Sequence, residues 1–156
     1  MCISLLRGIG NLSSRVNARS QKSSTVTTMN TISLVEEFHQ AFYVATANKP
    51  HVTDIDLNNL RLKLLSEELD ELEKALFFRD PVATLDALTD LQYVLDGAFL
   101  ALGFRKVKDA AFKEVHRSNM DKLGPEGLPI KRSDGKIMKP RGWKEPDLKS
   151  ILENLA

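Results

Sequence analysis

Residues 60–76 read LRLKLLSEELDELEKAL, and how this stretch distributes its acids and leucines decides the fold. Five carboxylates, Glu67, Glu68, Asp70, Glu71 and Glu73, fall within seven positions. On a helix turning about 100° per residue, Leu62, Leu65, Leu69, Leu72 and Leu76 form one stripe in alternating three- and four-residue steps. That spacing predicts a packing seam. Lys63, Asp70 and Lys74 share a polar side that reads as solvent-facing surface, and Glu73 borders the seam. Glu67, Glu68 and Glu71 lie elsewhere, in a sector shared with Leu60, Leu64 and Ala75. A purely solvated face does not normally carry leucine at both preceding turns, so these three acids need a cause.

The run from Pro81 to Leu102 repeats the pattern. Leu88, Leu91, Leu95, Ala98, Phe99 and Leu102 cluster as a predicted core side. Asp86, Asp90, Tyr93 and Gly97 recur at i, i+4, i+7 and i+11 on the opposite side. If the two acidic faces meet, Glu67, Glu68, Glu71, Asp86 and Asp90 converge. Like charges in a low-dielectric site cannot all stay ionised unless something offsets them. A hard divalent cation does so, and an all-carboxylate donor set suits Mg²⁺ or Mn²⁺ rather than zinc or copper. Taken alone, the glutamate cluster also reads as a solvated helix face. The matching acids on the next helix weigh against that.

The rest of the chain fits an all-α helical bundle of about four main helices with a loop- and hairpin-rich C-terminal extension. Helices are predicted over about Thr31–Val44 with Ser33 as cap, Asp56–Phe78, Pro81–Leu102 and Val107–Leu123. A short helix follows in DLKSILENLA, residues 147–156. Pro81 suits a helix first turn, Gly103 a helix stop, and Asp134-Gly135 a small hairpin. DIDLN at residues 54–58 superficially resembles the paired-aspartate nucleophile of haloacid-dehalogenase hydrolases. That motif needs a preceding hydrophobic strand, and NKPHVT is none.

With 156 residues, the chain has room for one domain and a modest core. A net charge of +1 gives no global field for a nucleic-acid polymer or a membrane surface. No apolar run reaches the roughly 18 residues of a membrane span. Cys2 stands alone, which excludes a disulfide framework and a cysteine metal site. Residues 1–30 carry Arg7, Arg15, Arg19 and Lys22 with many Ser and Thr, and the first acid is Glu36. This predicts a disordered or targeting leader before a domain over 31–156. Location is then mitochondrial if the leader is a transit peptide, or cytoplasmic; Met29 offers a second start.

A site for an anionic substrate also needs cations. The fourth helix offers Lys113, Glu114, Arg117, Asn119 and Lys122, with the last two one turn apart. The tail adds Lys131, Arg132, Lys136, Lys139, Arg141 and Lys144. Tyr93, Glu114, Asn119, Lys122, Lys136 and Lys139 are the candidate substrate contacts. His39, His51 and His116 have no mutual spacing for zinc, and Trp143 reads as a packing anchor for the tail.

EELDE at 67–71, followed by DALTDLQYVLDGA at 86–98, resembles the all-α nucleotide pyrophosphohydrolase superfamily. That group includes MazG-like proteins, phosphoribosyl-ATP pyrophosphohydrolases and dimeric dUTPases. With LVEEFHQAF, EVHRSNMDKL and DGKIMKP, the chain looks most like the phosphoribosyl-ATP pyrophosphohydrolase-like branch, from about Ile32 to Leu148. The resemblance implies a homo-oligomer, a homodimer or homotetramer, with Mg²⁺ (or Mn²⁺) on the clustered acids. It also implies hydrolysis of a nucleoside triphosphate-type substrate at the α–β linkage, with release of pyrophosphate. Substrates so implied are noncanonical or excess nucleotides, or phosphoribosyl-ATP. Glu67, Glu68 and Glu71 match its EExxE, with Glu67 or Glu68 activating water, and Asp90 matches the final residue of its ExxD. The glutamate of ExxD falls at Ala87, and Asp86 is the candidate substitute. Asn119 and Lys122 match phosphate- and sugar-contacting positions. The alternative is a non-catalytic helical scaffold or regulator that retains the fold, for which Ala87 is the best support.

Overall fold

A computed structural model describes residues 30–124 and 126–155. The leader expected over 1–30 lies outside them except for Asn30. The helices are α1 (Thr31–Ala41), α2 (Ile55–Phe78), α3 (Pro81–Ala101), α4 (Lys108–Met120) and α5 (Leu148–Glu153). A 3-10 turn at Arg105–Val107 joins α3 to α4. The fold is all-α, as expected.

Local chemistry sets most of the helix ends. Asp54 caps α2 by accepting the Leu57 N–H at 3.0 Å, so DIDLN is a helix start and not a strand-borne nucleophile. Asp80 caps α3 through the Val82 and Ala83 N–H groups, with Pro81 at the first helical position. Only Arg79 and Asp80 separate α2 from α3, which makes the pair a tight helical hairpin. Ser33 does not cap α1. Asn30 holds that position, and Ser33 lies in the first turn with its N–H on the Asn30 carbonyl. Helix α1 also stops at Ala41, short of Val44, because Tyr43 takes a left-handed conformation at φ 55°.

The segment after α1 folds back over the end of α3. The Ala47 and His51 N–H groups donate to the Leu100 and Leu102 carbonyls, each at 3.0 Å. Gly103, at φ +80°, makes this possible: a Cβ there would stand 1.9 Å from the Lys49 carbonyl oxygen. Ile32 and Val35 of α1 close on Leu100, with Phe99 beside them, to form the small core.

The predicted leucine seam is corrected by the packing. Leu62, Leu69 and Leu76 are 65, 55 and 58% exposed, while Leu65 and Leu72 are half-buried. The face that α2 turns to α3 carries Arg61, Leu65, Glu68, Leu72 and Ala75. Leu88 and Leu95 of the predicted α3 core are likewise exposed; Ala98 is buried as predicted, and Ala87, Gly97 and Ala101 are buried with it. Small residues let the two helices approach closely, and the leucine stripe is left uncovered on the flank.

The C-terminal segment returns along α4. The Trp143 indole N–H donates to the Ser118 carbonyl at 2.7 Å, and the Ser118 hydroxyl donates to the Lys144 carbonyl at 2.9 Å. Trp143 is thus the expected anchor. The Asp134-Gly135 hairpin also forms, held by Arg132 N–H to Lys136 O at 2.8 Å and Met138 N–H to Ile130 O at 2.7 Å.

Candidate functional site

The site is built on the α2–α3 hairpin. Glu67, Glu68 and Glu71 occupy one turn of α2, and Asp86 and Asp90 one turn of α3. Glu68 is half-buried because its position lies on the stripe that faces α3. Its carboxyl is raised above the ordinary glutamate range, first by burial and then by the charges of Glu71, Asp90, Glu67 and Asp86. The five predicted acids therefore lie within electrostatic reach of one carboxyl. Glu67 also stands 3.5 Å from Lys63, an exposed pair of the kind that contributes little. As the side chains stand, no three acidic, histidine or cysteine groups among the described residues are gathered closely enough to hold an ion.

Ala87 is 3% exposed, packed inside the hairpin. It lines a cleft of about 490 Å³ together with Ala75, Ala83, Glu71 and Asp86. Asp86 opens into the same cleft as Glu71. This is the physical counterpart of the displaced acid in the ExxD slot.

Tyr93 is half-exposed on the acid-bearing face of α3, and its ring meets Phe38 edge-on at 5.8 Å. Gly97, one turn on, is buried where α1, α2 and α3 meet. Two residues at this junction escape the sequence patterns. Arg61 and His39 are both buried, each with a ring or guanidinium nitrogen that lacks a partner. Burial, then the charge of Arg61, lowers the His39 pKa. The available signal was position: Arg61 lies seven residues before Glu68, two helical turns along the same stripe.

The candidates on α4 and the tail are sorted differently. Asn119 accepts a hydrogen bond from Lys122 Nζ at 2.6 Å. Lys122 and Lys139 approach the Trp143 ring, with Nζ 5.8 and 3.8 Å from its centroid, so these two cations and the amide form one cluster. Lys136 sits apart at the hairpin, its N–H bonded to Asp134. Glu114 is already engaged inside the chain. It accepts two bonds from Arg117, at 2.7 and 2.8 Å, and one from the Asp147 N–H at 2.9 Å. These hold its carboxyl down at about 2 and tie α5 to α4. His116 is exposed.

Residues 35–119 match the family model for phosphoribosyl-ATP pyrophosphohydrolase, more than half of the chain. The match takes in all five acids and ends at Asn119, short of Lys122 and the tail. A search of curated proteins finds no match. No described helix is long and apolar enough to cross a membrane. With an all-α fold and the family pattern running from α1 through α4, the chain belongs to the phosphoribosyl-ATP pyrophosphohydrolase family.

Proposed function

We propose that the chain is a Mg²⁺-dependent pyrophosphohydrolase that cleaves the α–β phosphoanhydride of a nucleoside triphosphate-type substrate and releases pyrophosphate. Family membership indicates a pyrophosphohydrolase, and a small-molecule nucleotide fits it as substrate. One observation supports the metal dependence above all: Glu68 is half-buried with four further acids acting on it. An acidic face of this kind is stabilised by protons or by a cation, and at neutral pH the cation is the effective one.

The donor chemistry fits the ion. All five groups are carboxylates, the hard oxygen donors that Mg²⁺ and Mn²⁺ prefer. Their side chains change rotamer on the nanosecond scale where exposed, while the helices fix their Cα positions. Glu67, Glu68, Glu71, Asp86 and Asp90 would hold the ion. The chemistry a Mg²⁺ held by these carboxylates would supply is Lewis-acid stabilisation of negative charge on the phosphate groups. Glu67 or Glu68 takes the proton of the attacking water, and the raised pKa of Glu68 brings it closer to the working range of a general base. Lys122, Asn119 and Lys139, gathered around Trp143, supply positive charge and hydrogen bonds for phosphate. The uncovered stripe of Leu62, Leu69 and Leu76 supports a homo-oligomer. Sedimentation of the full chain checks this, with a monomer as the contrary result.

The experiment is pyrophosphate release with Mg²⁺ from a panel of canonical and noncanonical nucleoside triphosphates and phosphoribosyl-ATP. Glu68→Gln and Asp90→Asn should each cost on the order of 100-fold or more in rate. Release that is absent from the wild type, or unchanged in both variants, overturns the reading. A scaffold that merely keeps the fold gives the first of these.

A further inference from the structure

The aromatic side chains at the end of α1 stay outside the core. Ile32 and Val35 close on Leu100, but Phe38 and Phe42, one and two turns past Val35, remain 39 and 66% exposed. Their rings stack with centroids 4.4 Å apart and planes 29° from parallel. Tyr93 of α3 meets Phe38 at 5.8 Å with an interplanar angle of 82°, and is itself 37% exposed. A ring that serves only as core filling hides its faces from water, where it contributes most. These three are held in fixed mutual positions and still leave ring surface open.

The trio adjoins the acid site. On α3, Tyr93 follows Asp90 by three residues and Asp86 by seven, all on one face of the helix. The corresponding rises are roughly 5 and 10 Å. A ribose with its 5′-phosphate spans a gap of this order. A nucleotide whose phosphates lie at the acids therefore brings its base to these rings. The chemistry of the patch also separates it from the flank of α2. There Leu62, Leu69 and Leu76 offer a flexible aliphatic stripe, which suits another protein surface. Phe38, Phe42 and Tyr93 offer flat π-faces, which suit a planar ring.

We propose that Phe38, Phe42 and Tyr93 are the platform on which the nucleobase of the substrate stacks, with the phosphates at the acids of α2 and α3. Every base has a π-face, so stacking needs an open ring and no enclosed cavity. The Tyr93 hydroxyl adds one donor and one acceptor beside it. That the stacked ring belongs to a hydrolysable nucleotide rests on the pyrophosphohydrolase reading; that these side chains receive a planar aromatic ligand does not.

The probe is 2-aminopurine riboside, a fluorescent nucleoside without phosphate, titrated into the full chain in EDTA. Its emission should fall on binding, because stacking on aromatic rings quenches it. Phe38→Ala and Phe42→Ala should each weaken binding by about 5- to 150-fold, the range of base–aromatic stacks, and Phe38→Tyr should keep it. A second arm adds Mg²⁺ and compares α,β-methylene-ATP with tripolyphosphate, which has no base. Phe38→Ala should weaken the nucleotide analogue and leave tripolyphosphate unchanged. No riboside binding by wild type, or equal binding by wild type and Phe38→Ala, overturns the platform. So does an equal loss of both phosphate ligands in Phe38→Ala. If Phe38→Ala does not fold, Phe42→Ala, at the exposed end of α1, decides by the same outcomes. Riboside binding that depends on Phe38, with neither phosphate ligand bound by wild type, upholds the platform and sinks the hydrolase reading alone.

Discussion

The α2–α3 hairpin and the α4–tail region treat their acids in opposite ways. Along α4 and the tail, acids are neutralised inside the chain: Glu114 and Asp121 by Arg117, and Asp134 by Arg132. Asp147 is held by Ser150. On the hairpin, Glu68 is surrounded by acids, and Arg61 has no acid at all. The α4–tail pairs hold the shape of that region, while Lys122 and Lys139, gathered at Trp143, stand outside them. On the hairpin, the acids around Glu68 raise its carboxyl and are the charge that the proposed cation would offset. The buried Asp96 joins α3 to the start of α4 by pairing one carboxylate oxygen with Lys108, its Oδ2 being left without a partner.

Three substitutions sharpen this contrast. The larger effect is expected in the internally satisfied region. Trp143→Phe keeps a ring against α4 but removes the donor to the Ser118 carbonyl, and should cost about 1–3 kcal/mol in a denaturant melt. A neutral result would mean that the tail does not depend on this anchor.

A smaller effect, of opposite sign in the two regions, is expected from removing one glutamate charge in each. Glu114 is held at about 2 against an ordinary value of 4.5. Its stabilisation is complete above 4.5 and is lost as the pH falls from there to about 2. Glu114→Gln should thus melt below wild type at neutral pH and converge with it in acid. Glu68 is raised, so its contribution is favourable only while it is protonated and is lost as the pH rises through its folded value. Without divalent cations, Glu68→Gln should melt above wild type at neutral pH and converge below the ordinary carboxylate range. Melts over pH 2–8 read both; shifts of the same sign at neutral pH would erase the distinction between the regions.

Helix existence was legible, whereas the cap and the end of α1 were not, since Asn30 holds the cap and Tyr43 turns the chain before Val44. Pro81 at the start of α3 and Gly103 just past its end were legible because they act on the neighbouring backbone, and the acids of α2 and α3 show a common face through spacing. Packing partners were not legible. Periodicity located the leucine stripe on α2 but could not say that alanines would set the helix contact, leaving Leu62, Leu69 and Leu76 outside. Arg61, between Leu60 and Leu62, reads in sequence as a long side chain with its head in water. Its burial depends on His39 of α1 and Gly97 of α3, both more than twenty residues away. The gathering of Lys139 and Lys122 at Trp143 is equally non-local, whereas Glu114, promising by residue type, is consumed by Arg117 three residues on.

The decisive measurement is a calorimetric titration of Mn²⁺, and then Mg²⁺, into the full-length protein, its Glu68→Gln variant and its Asp90→Asn variant at neutral pH. Saturable binding by the wild type that is weakened at least tenfold in each variant is expected if the hairpin acids share a cation. A wild type that takes up no ion, or variants that bind as it does, would contradict the metal site and, with it, the proposed chemistry.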